Sequence, residues 1–488
     1  MRLNPTGDAG RSQPSPKLPS QAPIHPTDTA TSEAFMPSHG PENQLTSSDD
    51  LRFSDLSDLG HPIRLPLPVR LNRAPIVANG TFQLVITSKE LSEEFAHMSG
   101  ASSENFSLST CIFDFPLRQS DEVIVRTADS GLPLVVRRDK GLVVNFDIRA
   151  TEVFRFTDSS RPIYTYIPGF NIHVVPEGIR RPISNMVQSF GARRSLDVAG
   201  SYRRLPLTGF EFTLFLLNTI LANGLAQRPP MFQWPCGKRA VFVSLHDVDT
   251  AGLLQRRERD PLFRIEAERQ VRSTWFIPTK ILNQHKHAAD FLIESGNEVG
   301  WHGHKHDHRD HIEPFADEAV TAFLNSPFGN PASSPIGMRL PKLLKSNYLF
   351  ERLEHRCPTL CYDTSFLSGI VPYYLWLNGK ASRILEIPCT VPTDIRLHNQ
   401  LHGLSRNRKA EEILKIQIAR TQKLIEVGAL ISIVTHPEKG LSERPDLLDV
   451  YSHYLSYVRS CPNIWFATAR ELFQYWSCES SRSTSRPA

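Results

Sequence analysis

Two carboxylates and two imidazoles stand in order between Val241 and His306. Asp247 and Asp249 close the apolar run Val241-Phe-Val-Ser-Leu-His-Asp-Val-Asp249, and His302 and His306 lie four residues apart in Glu298-Val-Gly-Trp-His-Gly-His-Lys-His306. A carboxylate with an imidazole pair, leaving positions open for water and substrate, is a ligand set of hydrolytic zinc sites. Residues i and i+2 of an extended strand face the same way. Both acids can therefore look into one pocket, one binding a metal and the other taking a proton from water. Each motif alone has a bland reading, since histidine-rich tracts are often incidental surface metal traps and an Asp-x-Asp at a strand end can be a turn or a helix cap. Together, each behind an apolar strand-like run, they favour catalysis. The imidazole register stays open, because His304 and His308 repeat the same spacing.

From Lys238 onward, strand-like runs alternate with helical stretches. The runs are Ala240–Leu245, Ser273–Ile277, Glu298–Trp301, Ile336–Leu340, Thr359–Tyr362, Ile384–Ile387 and Leu430–Val434. Between the last two, 407–427 carries Ile413, Leu414, Ile418, Leu424 and Ile425 on a period near 3.6. Strands alternating with helices predict a parallel barrel or a doubly wound sheet. Barrel active sites sit at the C-terminal strand ends, and the candidates gather there: Asp247 and Asp249 after the first run, His302 after the third, Arg339 near the fourth, His436 after the seventh.

The rest of the chain is less informative about chemistry. Residues 1–58 are rich in Pro, Ser, Thr, Asp and Gln with few apolar side chains, and read as a disordered tail, as do 479–488. Residues 60–228 read as a smaller α/β domain without a catalytic cluster, with short β-branched runs and a buried helix over 210–225. At 488 residues, 40% hydrophobic and 22% charged, the chain has the composition of a globular protein of two or three domains. A net charge of +4 with scattered arginines gives no argument for nucleic acid or a membrane surface. No apolar run is long enough to span a bilayer, and the N-terminus has no secretory h-region. Seven irregularly spaced cysteines suggest reduced thiols rather than a disulfide framework. The expectation is a cytoplasmic protein.

Four segments in register over residues 236–476 resemble the polysaccharide deacetylase family (the NodB homology domain, carbohydrate esterase family 4). His246-Asp-Val-Asp249 resembles a variant of its first motif, Glu298 to His306 its second, Gly337-Met-Arg339-Leu-Pro341 its third and Ile431-Ser-Ile-Val-Thr-His436-Pro437 its fifth. The resemblance implies a distorted (β/α)7 barrel, preceded here by the smaller α/β domain and the tail. It also implies metal-dependent removal of an acetyl group from a sugar. Residue by residue, it makes Asp249, His302 and His306 the ligands of one divalent ion, with Zn²⁺ favoured and Co²⁺ or Ni²⁺ accepted. It makes Asp247 the base, Arg339 the group that keeps that base ionised and aimed, and His436 the acid that protonates the departing amine. The implied partner is an N-acetylated sugar or polysaccharide precursor.

Three departures from the family pattern stand out. Val248 separates acids that are usually adjacent, and Thr250 follows instead of glycine. Lys342 replaces an aromatic residue whose backbone N–H serves the oxyanion, a task open to any residue but proline. The fourth motif is not legible, with Asp363 and Asp394 both candidates. His308, Asp310 and His311 read as supporting or surface groups, His246 as pocket or packing, and Trp301 and Trp376 as core more than as sugar platforms. Two rival readings are an amidohydrolase of the same fold acting on a non-sugar amide or ureide, and a catalytically silent carbohydrate-binding module.

Overall fold

A computed structural model describes 69–71, 75–99, 107–139, 141–146, most of 205–222 and, with short interruptions, 232–484; the largest gaps inside that last span are 394–409 and 438–443. The expected tail 1–58 lies outside the described residues.

The N-terminal elements are β1 (Val69–Leu71), β2 (Ile76–Ile86), α1 (Lys89–Ser99), β3 (Ser107–Phe113), β4 (Glu122–Thr127), β5 (Pro133–Arg138), β6 (Gly141–Val144) and α2 (Gly209–Ala222). The strands form one sheet in the order β1-β6-β5-β4-β2-β3, antiparallel except for β1 on β6. Inward-facing Ile124, Val135 and Val144 are buried with Leu214, Leu217 and Ile220 of α2 in a hydrophobic cluster that runs on without a break into the second sheet.

The second sheet carries the six candidate residues. Its elements are β7 (Ala240–Asp247), α3 (Pro261–Glu268), β8 (Ser273–Ile277), β9 (Glu298–Trp301), α4 (Phe315–Leu324), β10 (Ile336–Met338), α5 (Asn347–Arg356), β11 (Leu360–Asp363), β12 (Tyr373–Leu377), β13 (Lys380–Glu386), α6 (Ala410–Val427), β14 (Leu430–Thr435), α7 (Pro445–Ser460), β15 (Ile464–Phe466) and α8 (Ala469–Thr484). The order is β12-β13-β11-β10-β9-β8-β7-β14, with β15 also on β7, and only β12 runs antiparallel. A parallel strand covered on both faces favours a near-continuous apolar run, and all eight residues of β7 are buried, including Ser244, His246 and Asp247. The protein is thus mixed α/β, with a largely parallel sheet that curls toward closure. Closure is irregular: past β13, Val391 N–H donates to Ser432 O (3.0 Å) and Thr390 Oγ1 donates to Leu430 O (2.8 Å) on β14.

The two sheets are pinned together by Glu211 of α2, whose Oε1 accepts the N–H groups of Ile370 (2.7 Å) and Val371 (3.0 Å). Strands β12 and β15 add to the seven expected runs, and two element ends differ from the sequence reading. Strand β10 stops at Met338 because Pro341 and the left-handed Lys342 (φ 53°) and Leu343 (φ 60°) turn the chain, so Arg339 sits just past the strand. The last helix continues through Thr484, into the segment read as tail, since no Gly or Pro occurs between Ala469 and Arg486 to stop it. Among the described residues no helix is long and apolar enough to cross a membrane.

Candidate active site

The C-terminal ends of β7, β9, β10 and β14 bring all six sequence candidates together. Asp247 ends β7, and the buried Val248 packs beneath the chain so that Asp249 faces the same side. His302 follows β9 directly and its N–H still donates to Ile277 O (3.1 Å), which extends the ladder by one residue. Gly303 then turns the chain at φ +70°; a Cβ there would lie 2.5 Å from Asp310 Oδ2 and 3.0 Å from Pro341 Cδ. His306, also left-handed at φ 54°, returns toward Asp249.

His306 Nε2 lies 2.9 Å from Asp249 Oδ1 and His302 Nε2 lies 3.7 Å from it, and one ligand atom from each of the three falls within 4.8 Å of the others. His302 Nδ1 is 2.7 Å from the carbonyl oxygen of Arg339, so Nδ1 donates there and Nε2 is turned toward Asp249. Nε2 of both imidazoles thus faces one carboxylate, where a proton or a divalent ion can lie between them, and the donor set fits an ion with nitrogen affinity. Burial works to raise the Asp249 carboxyl, and His302 and His306 overcome it, holding the group well below the ordinary carboxylate range.

The second acid is held differently. Asp247 and Arg339 are both buried, with Arg339 Nε donating to Asp247 Oδ2 at 2.9 Å. Burial alone would raise the Asp247 carboxyl, but Arg339, with His302 and His436, keeps it below its usual value; the same carboxylate raises the guanidinium. A second guanidinium nitrogen donates to Thr364 O. His436, just past β14, places Nε2 3.6 Å from Asp247 Oδ2. An ionised acid, an imidazole and a cation-seeking triad thus share one rim, an arrangement suited to activating water and protonating a leaving group.

The remaining candidates are placed elsewhere. His304 turns toward Glu318 (3.6 Å) while its backbone N–H donates to Asp310 Oδ2 (2.8 Å), so Asp310 shapes the loop. His308 and Asp394 lie outside the described residues, as does the side chain of Trp376. Trp301 is core, its Nε1 donating to Thr279 Oγ1 (2.8 Å). His311 is buried behind the loop, its carbonyl accepting from Ser346 Oγ (2.6 Å).

His246, on the opposite face of β7 from Asp247, is fully buried between Glu266 Oε1 (2.8 Å) and Thr435 Oγ1 (2.6 Å), with its ring 4.0 Å from that of Trp275. It braces β7 to β14 directly beneath Asp247 and His436. Asp363 faces Glu386 rather than the rim, with Ser365 Oγ donating to its Oδ1 (2.6 Å). Glu266, Thr364, Ser365 and Glu386 were not singled out in the sequence; a lone acid in a helix or at a strand end carries no local signature.

The chain is similar in structure to a putative polysaccharide deacetylase from Mycobacterium smegmatis (19% identity over 51% of this chain and 94% of that one, TM-score 0.40). It is also similar to a probable polysaccharide deacetylase from Pseudomonas aeruginosa PAO1 (16% identity, 52% and 97%, TM-score 0.42) and to Puue allantoinase (14% identity, 52% and 96%, TM-score 0.41). No family model matches the chain, and no curated protein matches it.

Proposed function

We propose that the protein is a metal-dependent hydrolase that removes the acetyl group of an N-acetylated sugar or polysaccharide precursor, on a distorted (β/α)7 barrel formed by residues 236–476. The observation that carries this reading is the meeting of Asp249, His302 and His306 beside an Arg339-held Asp247 and His436, all at C-terminal strand ends. Residues 60–228 form the accessory α/β domain of that architecture.

When bound by Asp249, His302 and His306, a divalent ion, Zn²⁺ by preference, supplies Lewis acidity that acidifies water and polarises a carbonyl. Asp247 receives the proton of the attacking water. Arg339 keeps Asp247 ionised and aimed, because the guanidinium is itself immobilised by Thr364 O. His436 donates a proton to the departing amine nitrogen, without which the tetrahedral species would return to amide. His302 is oriented for its role by the Arg339 carbonyl, which ties the ligand set to the base through one residue.

The test is acetate release from a panel of N-acetylated sugars and precursors by the Zn²⁺-loaded protein, with chelator and Asp247→Asn as controls. Release that disappears in both controls is expected. Release unaffected by Asp247→Asn would overturn the assignment of the base, and turnover restricted to non-sugar amides or ureides would overturn the sugar substrate.

A further inference from the structure

Outside the rim, a second pair of buried acids lies at the ends of adjacent parallel strands. Asp363 and Glu386 are register partners on β11 and β13, and both are fully buried. Each uses one oxygen on the segment that follows β11: Asp363 Oδ1 accepts from Ser365 Oγ (2.6 Å) and Glu386 Oε1 accepts from Phe366 N–H (3.0 Å). The other two oxygens, Asp363 Oδ2 and Glu386 Oε2, are buried and have no donor among the described residues. Two carboxylates in contact cannot both be ionised at low cost, and a single proton between them turns one into the donor the other lacks.

That segment reaches the catalytic rim. Ser365 Oγ, while donating to Asp363, accepts from Leu340 N–H (2.8 Å), the residue after Arg339. Thr364 N–H donates to Met338 O (2.9 Å), the residue before it, and Thr364 O accepts from Arg339 itself. Lys345 Nζ donates to Ser365 O (3.1 Å) and lies 4.0 Å over the Phe366 ring.

We propose that Asp363 and Glu386 hold one proton between them and that this pair is a positioning device for Arg339, acting through Thr364–Phe366. The charged and titratable groups around it are Lys345, Arg339 and the Cys389 thiol beside Arg339. Burial, then the neighbouring Asp363 charge, pushes the Glu386 carboxyl well up, and burial also raises Asp363. The pair therefore retains one proton. Loss of that proton would set two like charges against each other and loosen the segment that carries Thr364 O.

Only the final link, from Arg339 to turnover, rests on the proposed function, so the first two measurements need no substrate. Glu386→Gln imitates the protonated acid at every pH. Because the folded carboxyl has the raised value, its stabilisation is fully present below the unfolded value of about 4.3 and is lost as pH rises. The wild type should therefore fall in Tm relative to Glu386→Gln between pH 5 and 8, and a flat difference would overturn the shared proton. In Ser365→Ala, which keeps both acids but removes the bonds that tie Asp363 and Leu340 to the segment, the Arg339 Nε–H should exchange with water at least about tenfold faster by NMR. Unchanged exchange would overturn the anchoring.

With whichever substrate is turned over, Ser365→Ala and Glu386→Leu should lower kcat about tenfold at constant KM and metal content, while Glu386→Gln stays within about twofold of the wild type. Wild-type kcat in Ser365→Ala would overturn the positioning role. Absence of any turnover in the wild type would remove the deacetylase reading and leave the Tm and exchange results standing.

Discussion

Replacing Arg339 by Met tests how the base is held. The perturbation strands Asp247, only 4% exposed, without the guanidinium that lies 2.9 Å away. Removing one partner of a buried ion pair costs about 3–5 kcal/mol, because the remaining charge is left desolvated. Asp247→Asn strands Arg339 instead, but Thr364 O and the amide oxygen still accept from the guanidinium, so about 2–3 kcal/mol is expected. The double variant buries neither charge. Its loss should therefore fall short of the sum of the two single losses by at least about 2 kcal/mol, near the upper end of coupling energies between contacting residues. The assay is urea unfolding of the wild type, both single variants and the double variant, followed by tryptophan fluorescence. Chelator should be present throughout, so that a bound cation does not substitute for the guanidinium. Additive losses within about 0.5 kcal/mol would refute the view that burial makes this pair interdependent. The same four proteins separate stability from catalysis, since the double variant should regain stability yet remain inactive.

Other outcomes follow from the same coordinates. Gly303→Ala should lower stability by about 1–2 kcal/mol from the left-handed backbone alone. It should also reduce metal content, because the new methyl displaces Asp310 from the loop that carries His306; thermal unfolding and elemental analysis read both, and a fully metal-loaded, unshifted variant would contradict it. His306→Ala should keep the wild-type circular dichroism spectrum and lose stoichiometric metal, whereas His304→Ala should retain metal; the reverse result would assign the other imidazole register. Glu211→Ala should destabilise by about 1–3 kcal/mol, because it leaves the buried N–H groups of Ile370 and Val371 without their shared acceptor. An unchanged urea midpoint would show that α2 is not needed to hold that loop.

The sequence reveals strands more readily than it reveals what lies across from them. Ser273–Ile277 and Glu298–Trp301 were legible to the residue, because each is a short run with β-branched and aromatic side chains bounded by turn residues such as Pro278, Gly296 and Asn297. The candidate imidazoles stood out because a pair at spacing four is a local pattern. β12 and β15 were not, since a short aromatic run such as Ile464–Phe466 has no periodicity to distinguish it from a helix or loop.

Partnership was the least visible property. Glu266 lies 20 residues from His246 and Glu386 lies 23 from Asp363, and in each case only the helix-on-sheet packing or the register of parallel strands makes them neighbours. That register has a chemical consequence. Strand side chains alternate in direction, so β7 presents Asp247 to the rim while His246, one residue earlier, points behind it toward Glu266 and Thr435. Thr435 itself precedes His436 on β14, paired in register with His246. One buried hydrogen bond beneath the sheet thus fixes the strand ends next to Asp247 and His436. A polar rim holds its geometry only as well as the buried groups behind it are fixed. The buried polar groups of this protein occupy those supporting positions: His246 with Glu266 and Thr435 behind Asp247 and His436, and Ser365 with Asp363 behind Arg339.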